Sequence, residues 1–256
     1  MTSKSTDPKQ QSLRTQLPEW LTTAAIAAWG LLMLEYWASG KLGLLIHPKY
    51  FGLILSAGLF LIGLAGLQGV KLLRQHSNAR LQHISLLPPL GLSTVLLGAA
   101  LVGLLVTPRP FASQTAIQRG LQDSAIVTRA QPQAFRATVN PEQRSLLEWI
   151  RTLDVYPEPD AYKGQKVNVD GFVVYADDLP ETYFTLTRFV ITCCAADAYP
   201  VGLPVKLNQS RTVYRPDQWF NVKGQMITET LNGQRQLVIA ATTLKPISEP
   251  KNPYSY

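Results

Sequence analysis

Residues 51–70 read FGLILSAGLFLIGLAGLQGV, 20 consecutive positions without a charged side chain. A helix of that length covers about 30 Å, the thickness of the hydrocarbon layer of a membrane. Residues 86–106 form a second uncharged run, of 21 positions. A helix buried in a soluble protein rarely needs so much apolar length. The sequence therefore predicts that both segments cross a membrane.

A weaker span precedes them at residues 21–37. Glu35 interrupts it, but Trp20, Tyr36 and Trp37 bracket it as interfacial aromatic residues do. A cleaved signal peptide is the competing interpretation, yet another hydrophobic segment follows instead of a soluble domain, which favours a retained helix. Glu35 itself is interpreted either as a snorkelling interfacial carboxylate or as a polar contact with the membrane helices of a partner.

Charge separates this membrane region, residues 21–106, from the rest of the chain. Mean hydropathy is only +0.03, but residues from 107 onward carry 16 of the 24 basic and 14 of the 17 acidic side chains. Basic residues favour the cytoplasmic side. With three spans, the tail at residues 1–20 shares a side with the loop between spans two and three. Those two segments contain Lys4, Lys9, Arg14, Lys71, Arg74 and Arg80, whereas the other loop has Lys41 and Lys49.

This bias predicts a cytoplasmic N-terminus and an extracytoplasmic C-terminal domain. Residues 107–140, with scattered prolines and no periodicity, are predicted to link the two parts. Asn140 followed by Pro141 is typical of a helix start, and the helix is expected to run to about Leu153. An outward-facing part that carries a net charge of only +2 from residue 107 onward argues against nucleic-acid binding.

The C-terminal domain, residues 141–256, is predicted to be mainly β. Runs of β-branched and aromatic residues indicate five strands, at 166–175, 183–193, 204–207, 219–228 and 236–244. Asn232 and Gly233 predict a tight hairpin between the last two strands. Gly171 and Gly224 are candidate bend or bulge positions. These features suit a five-stranded, partly open barrel of the OB type, with an open sandwich as the alternative.

The chain has two cysteines, Cys193 and Cys194, and they are adjacent. Three interpretations stay open: a strained vicinal disulfide, buried free thiols that serve only packing, or a metal or thiol-active site. A helical bend after the strand would bring Asp197 near both sulfurs, with Asp177 or Asp178 as further ligands. If the strand stays extended, the two side chains point to opposite faces and cannot share an ion.

Arg188 is the charged residue in an otherwise uncharged strand. It is interpreted either as a rim guanidinium paired with an acid, or as a residue that binds an anion or fixes Asp197. Motifs for enzyme chemistry are missing: the sequence has no phosphate loop, no nucleophile elbow and no histidine after residue 86. The sequence therefore predicts a protein that is not an enzyme.

Residues 188–202, RFVITCCAADAYPVG, resemble the signature of the YcgQ-like family of bacterial permease subunits. The resemblance extends to Gly171, Phe172 and Val173 and to residues 250–254, PKNPY. Its pattern permits histidine at position 193, an interchange that metal ligation would tolerate. Relatives often carry a histidine-rich loop between spans two and three, where this chain has only His76 and His83.

The resemblance implies a subunit of a two-component complex in a bacterial inner (plasma) membrane, whose other member is a polytopic permease of the YraQ and YcgR kind. We therefore expect a non-catalytic accessory subunit whose partners are the permease and the lipid bilayer. Its exported domain would bind a ligand or a metal ion such as zinc, through Cys193, Cys194 and Asp197 with Arg188 nearby. The alternative is a membrane-tethered thiol oxidoreductase or metallochaperone that acts through the two cysteines.

Overall fold

The computed structural model describes residues 8–74, 89–121 and 140–256. The chain divides into two compact units, Met1–Pro108 and Arg109–Tyr256. The first contains three helices, α1 (Pro8–Ala38), α2 (Phe51–Arg74) and α3 (Pro89–Leu105). The second contains two short helices, α4 (Ser113–Gln118) and α5 (Leu146–Val155), and a six-stranded sheet.

Two helical segments are long and apolar enough to cross a membrane: Leu17–Ala38, with 22 residues, and Pro48–Arg74, with 27. The third apolar segment, Leu90–Leu105, is shorter, so three spans are not established. The sequence predicted a clear span at residues 86–106 and a weaker one at residues 21–37, whereas the structure has the longer apolar helix at the first of these positions in the chain. Glu35 lies within α1, and its carboxylate pairs with Lys41 at 2.8 Å just beyond the helix end. Residues 86–88 of the predicted third span lie outside the described residues.

Helix α1 packs against both α2 and α3. Glycine allows the α1–α2 approach: a Cβ added to Gly30 would lie 3.0 Å from the carbonyl oxygen of Gly58. On the α3 side, the Tyr36 hydroxyl donates to the carbonyl of Gly103 at 2.6 Å. Small residues and side-chain hydrogen bonds are the contacts that hold helices together where solvent is apolar.

The helix that precedes the sheet begins later than predicted. Asn140 does cap a turn, since its side chain accepts from the Glu142 N–H, but that turn is a 3-10 helix at Pro141–Gln143. Helix α5 starts at Leu146 instead. Ser145 caps it through a capping box with Glu148, in which each side chain accepts the backbone N–H of the other residue.

The sheet contains β1 (Lys166–Val174), β2 (Tyr183–Val190), β3 (Tyr199–Lys206), β4 (Trp219–Leu231), β5 (Gln234–Pro246) and β6 (Tyr254–Ser255). Each of the first five overlaps a predicted strand, with different bounds at β2 and β3 above all, and β6 was not predicted. The strand order is β1-β4-β5-β3-β2-β6, and β1 also pairs with β2. The β4–β5 hairpin closes at Asn232 and Gly233, as predicted; both residues have positive φ, as a type I′ turn requires.

Strand β3 begins five residues before its predicted start at Pro204. The predicted strand covered only residues 204–207, and Pro200 and Pro204 have no N–H to donate to a ladder. In the structure β3 pairs with β2 along its whole length, but with β5 only at Val205 and Lys206. Pro200 and Pro204 therefore lie in the part of β3 that pairs with β2 but not with β5, where backbone N–H donors are needed on one side only.

The core of the second unit lies between α5 and the sheet. Trp149, from α5, and Phe184, from β2, are fully buried within it. Gly224 marks the predicted irregularity in β4, because the β4–β5 register shifts between Lys223 and Gly224. A Cβ at Gly224 would clash with the carbonyl oxygen of Ala240, so the close approach of β4 and β5 needs glycine here.

Candidate functional site

The turn between β2 and β3 carries both cysteines. Strand β2 ends at Val190, three residues before the predicted end at Cys193. The buried Ile191 then donates its N–H to the carbonyl of Ser255 at 3.1 Å, which holds the start of the turn against the C-terminal strand. A single 3-10 turn, Ala195–Asp197, follows before β3 begins at Tyr199.

Asp197 folds back onto the two cysteines. Its Oδ2 accepts the backbone N–H of Cys193 at 2.8 Å, and its Oδ1 accepts that of Cys194 at 3.2 Å. The Asp197 N–H in turn donates to the carbonyl of Cys194 at 3.1 Å. These three hydrogen bonds fix the carboxylate over the N-terminal end of the 3-10 turn, where unpaired N–H groups favour negative charge.

The two thiols and the carboxylate therefore converge. The Sγ atoms of Cys193 and Cys194 are 3.7 Å apart, and one ligand atom from each of Cys193, Cys194 and Asp197 lies within 4.8 Å of the other two. Strand alternation does not separate the sulfurs, because Cys193 lies in a bend rather than in β2. Cys193 is exposed and Cys194 is half-buried, so the cluster opens to solvent.

The carboxylate changes the acidity of the neighbouring thiol. Its hydrogen bond with Cys193, together with the contact to Cys194, raises the pKa of the Cys193 thiol from 9.0 to about 11. Burial works to raise the pKa of Asp197, but hydrogen bonds from the Cys193 side chain and from nearby backbone N–H groups outweigh it, and that pKa is lowered. At neutral pH the turn holds a neutral Cys193 thiol beside a carboxylate.

Arg119 clamps the turn from outside. Its guanidinium donates to the carbonyl of Ala195 at 3.3 Å and, at shorter range, to that of Ala198. The guanidinium also lies 4.6 Å from the ring centre of Phe111, a cation–π distance. Arg119, which directly follows α4, therefore holds both ends of the 3-10 turn that positions Asp197.

Phe111 belongs to an aromatic cluster beside the turn. Its ring centre lies 5.2 Å from that of Phe189 and 5.9 Å from that of Tyr254, and its N–H donates to the Tyr254 hydroxyl at 3.2 Å. Arg119 and Phe111 were missed by the sequence reasoning, which treated residues 107–140 as a linker. The one available signal was an isolated phenylalanine among polar residues. Of that linker, residues 122–139 lie outside the described part.

Arg188 contacts the C-terminal segment of the chain. Its guanidinium donates to the carbonyls of Asn252 at 3.1 Å and Pro253 at 3.4 Å, and it lies 5.4 Å from the ring centre of Trp219. Burial lowers its pKa, an effect that the charge of Asp170 opposes. Within the described residues no hydrogen bond joins Arg188 to Asp197. Arg188 therefore holds the C-terminal segment rather than the cysteine turn.

The other predicted ligands lie elsewhere. Asp177 and Asp178 follow β1 at the far end of β2 from Cys193, about 23 Å away by strand length. Asp178 accepts from the Asn232 side chain at 2.6 Å, which ties the β1–β2 loop to the hairpin tip. Glu35 lies in the first unit and pairs with Lys41 of the same chain. His76 and His83 lie outside the described residues.

Fold and site together define a class of protein: apolar helices, two of them long enough to cross a membrane, followed by a six-stranded domain whose β2–β3 turn gathers two thiols and a carboxylate. The chain belongs to the DUF1980 C-terminal domain family, whose model matches residues 125–256. The resemblance of residues 188–202 to the YcgQ-like family is consistent with this membership. Comparisons with curated proteins and with solved structures give no match.

Proposed function

We propose that the protein is a non-catalytic accessory subunit of a two-component membrane permease complex. Its helices would anchor it beside a polytopic permease, and its β domain would bind a ligand outside the cytoplasm through the cysteine turn. The apolar exterior of α2 carries the proposal, because such a surface needs either lipid or another membrane protein.

Helix α2 turns large apolar side chains outward. Leu53, Phe60 and Leu67 are each exposed by about two thirds of their surface, at 66%, 69% and 65%. Only 11% of the most apolar stretch within Pro48–Arg74 is buried inside the structure. A soluble protein would leave this surface open to aggregation, whereas a bilayer or a partner helix would cover it.

The orientation that we propose is the one that the bias of basic residues predicts. With three spans, the β domain would lie outside the cytoplasm. The inward location of the basic loop between α2 and α3 follows from the positive-inside rule. The compartment outside the cytoplasm is also oxidising in many bacteria, so the two thiols must resist oxidation there in order to bind a ligand.

The strand pairings support an OB-type barrel for the exported domain. Each of the five long strands has two neighbours, since the order β1-β4-β5-β3-β2 returns to β1 through the β1–β2 pairing. Closure through β1 is the arrangement that a five-stranded Greek-key barrel needs. Barrels of this type bind ligands through loops at their ends, and the cysteine turn is one such loop.

Of the alternative functions, a thiol oxidoreductase or a metallochaperone, the thiol oxidoreductase is less well supported. Its attacking group is a thiolate, and reactive cysteines have lowered pKa values. The pKa of Cys193 is instead raised to about 11 by its hydrogen bond with Asp197. A thiol with a raised pKa attacks disulfides slowly at neutral pH, which counts against disulfide exchange.

Photo-crosslinking in native membranes tests the subunit assignment. A photoreactive residue placed at Phe60, on the exposed face of α2, should yield an adduct with a polytopic membrane protein. The matched control is Ala65, which is 6% exposed and faces the interior of the helical unit, and it should yield none. If the Phe60 probe labels only lipid in native membranes, the subunit assignment fails.

A further inference from the structure

We propose that Cys193, Cys194 and Asp197 form an exchangeable zinc site with one open coordination position. The inference deepens the proposed function, since it names the ligand of the exported domain and rests on that function only for the compartment. Ion binding by the isolated protein is measured without a permease, so this inference and the subunit assignment can fail separately.

The spacing of the sulfurs matches a tetrahedral ion. Two thiolates that each lie about 2.3 Å from zinc at the tetrahedral angle are about 3.8 Å apart. The Sγ atoms of Cys193 and Cys194 are 3.7 Å apart. In a linear two-thiolate site, the two sulfur atoms would be separated by twice the metal–sulfur distance. The preformed turn therefore suits zinc better than two-coordinate copper(I).

Asp197 supplies the third ligand at little cost in ordering. Its carboxylate is already fixed by the N–H groups of Cys193 and Cys194, and each oxygen keeps a lone pair for a cation. In the metal-free turn, the Cys193 thiol hydrogen-bonds to this carboxylate. Zinc would take the place of that shared proton: the two thiols lose their protons to solvent, and two Zn–S bonds and one Zn–O bond form.

The fourth position is open. Structural zinc sites are closed by four protein ligands, whereas sites that exchange or act on a ligand keep one position for water or substrate. In the part of the chain that the structure describes, no fourth His, Cys, Asp or Glu joins the cluster. Because Cys193 is exposed, water or a donor from another protein can reach the ion. Such a site loads and releases zinc rather than stapling the fold.

Metal binding should be measured on the full-length protein in detergent, reduced without air and freed of metal. Cobalt(II) is the first probe, because each cobalt–thiolate bond adds to a charge-transfer band. Zinc affinity follows by competition with a chromophoric chelator. The variants are C193S, C194S and D197N, and D177N is the matched control, since Asp177 is an exposed carboxylate at the other end of β2.

The proposal predicts one cobalt or zinc per chain. Each serine variant should lose about half of the thiolate band, and D197N should weaken zinc binding about 10-fold or more. D177N should bind like the natural chain. Zinc should also slow alkylation of the two thiols in the unmodified protein about 10-fold, a readout that does not depend on any variant folding.

Three results would overturn the proposal. One is the absence of a thiolate band under reducing conditions, and another is zinc affinity that survives in both serine variants. The third comes from trapping thiols with an alkylating agent in intact membranes. If most chains resist alkylation until a reductant is added, Cys193 and Cys194 exist as a disulfide, and the turn cannot act as a zinc site.

Discussion

Replacing Arg119 by alanine should loosen the cysteine turn without unfolding the β domain. Arg119 donates to the carbonyls of Ala195 and Ala198 and stacks on Phe111. Each hydrogen bond contributes about 0.5 to 1.5 kcal/mol, and an exposed cation–π contact about 0.5 to 1 kcal/mol. Because Arg119 is exposed, the lower values apply, and their sum is about 1.5 kcal/mol.

This free energy should appear as local opening. About 1.5 kcal/mol corresponds to roughly a 10-fold change in an opening equilibrium. The amide protons of Asp197 and Ala198, which bond to the carbonyls of Cys194 and Ala195, should therefore exchange with solvent about 10-fold faster in R119A. R119K keeps the charge but not the planar fork, so it should fall between the two.

The amide of Val222, in the centre of β4, is the internal reference and should exchange at its original rate. Hydrogen exchange with mass spectrometry or NMR resolves the two regions. Equal exchange of the turn in R119A and the natural chain would show that Arg119 does not hold it. An acceleration that spreads evenly to Val222 would show that the loss is global, and the clamp would then be no more than a general stabilising contact.

Three further predictions follow from the sheet and the charges. G224A should destabilise the β domain by about 2 to 3 kcal/mol, because its Cβ would meet the carbonyl of Ala240. Chemical denaturation measures this loss, with T243A at an exposed neighbouring strand position as the control. A loss under about 0.5 kcal/mol in G224A would contradict the prediction. Hydrogen bonds from Arg235 and then Thr228 lower the pKa of Asp160 from 3.8 to about 2, so the stability from this pair is complete above pH 4 and should be lost as pH falls towards 2. An NMR titration should show the low pKa, and R235Q should return it towards 3.8; an unchanged value in R235Q would refute the cause. A reporter active only outside the cytoplasm should work when fused after Tyr256 and fail after Asn78, and the opposite pattern would invert the topology.

Much of the β domain could be predicted because its strands carry their signal locally. Alternating β-branched residues located β1, β2, β4 and β5, and Asn232 with Gly233 identified the hairpin. The convergence of Cys193, Cys194 and Asp197 was one of the predicted alternatives, because spacings of three and four residues share a face once the chain bends. The choice between the alternatives needed the end of β2, which local sequence does not give.

Other features depend on contacts between distant segments. Strand β6 is two residues long and exists because Tyr254 and Ser255 pair with the end of β2. Arg119 finds its partners 76 and 79 residues along the chain, at Ala195 and Ala198. Neither contact leaves a periodic pattern. Arg188 showed a charge among uncharged residues but not its partners, since backbone carbonyls at Asn252 and Pro253 have no sequence signature.

The tip of the β4–β5 hairpin is a suitable place to insert an epitope tag. Strand β1 pairs only with the base of β4, and β3 pairs with β5 only at Ile239 and Ala240. The outer half of the hairpin therefore extends past these strands, and the Asp178 side chain of the β1–β2 loop contacts its tip. Its tip, Asn232–Gly233, is exposed. Exposed tips accept inserted peptides with little disturbance. A short epitope placed there would report which side of the membrane the domain faces, because an impermeant antibody labels it in spheroplasts only if the domain lies outside the cytoplasm.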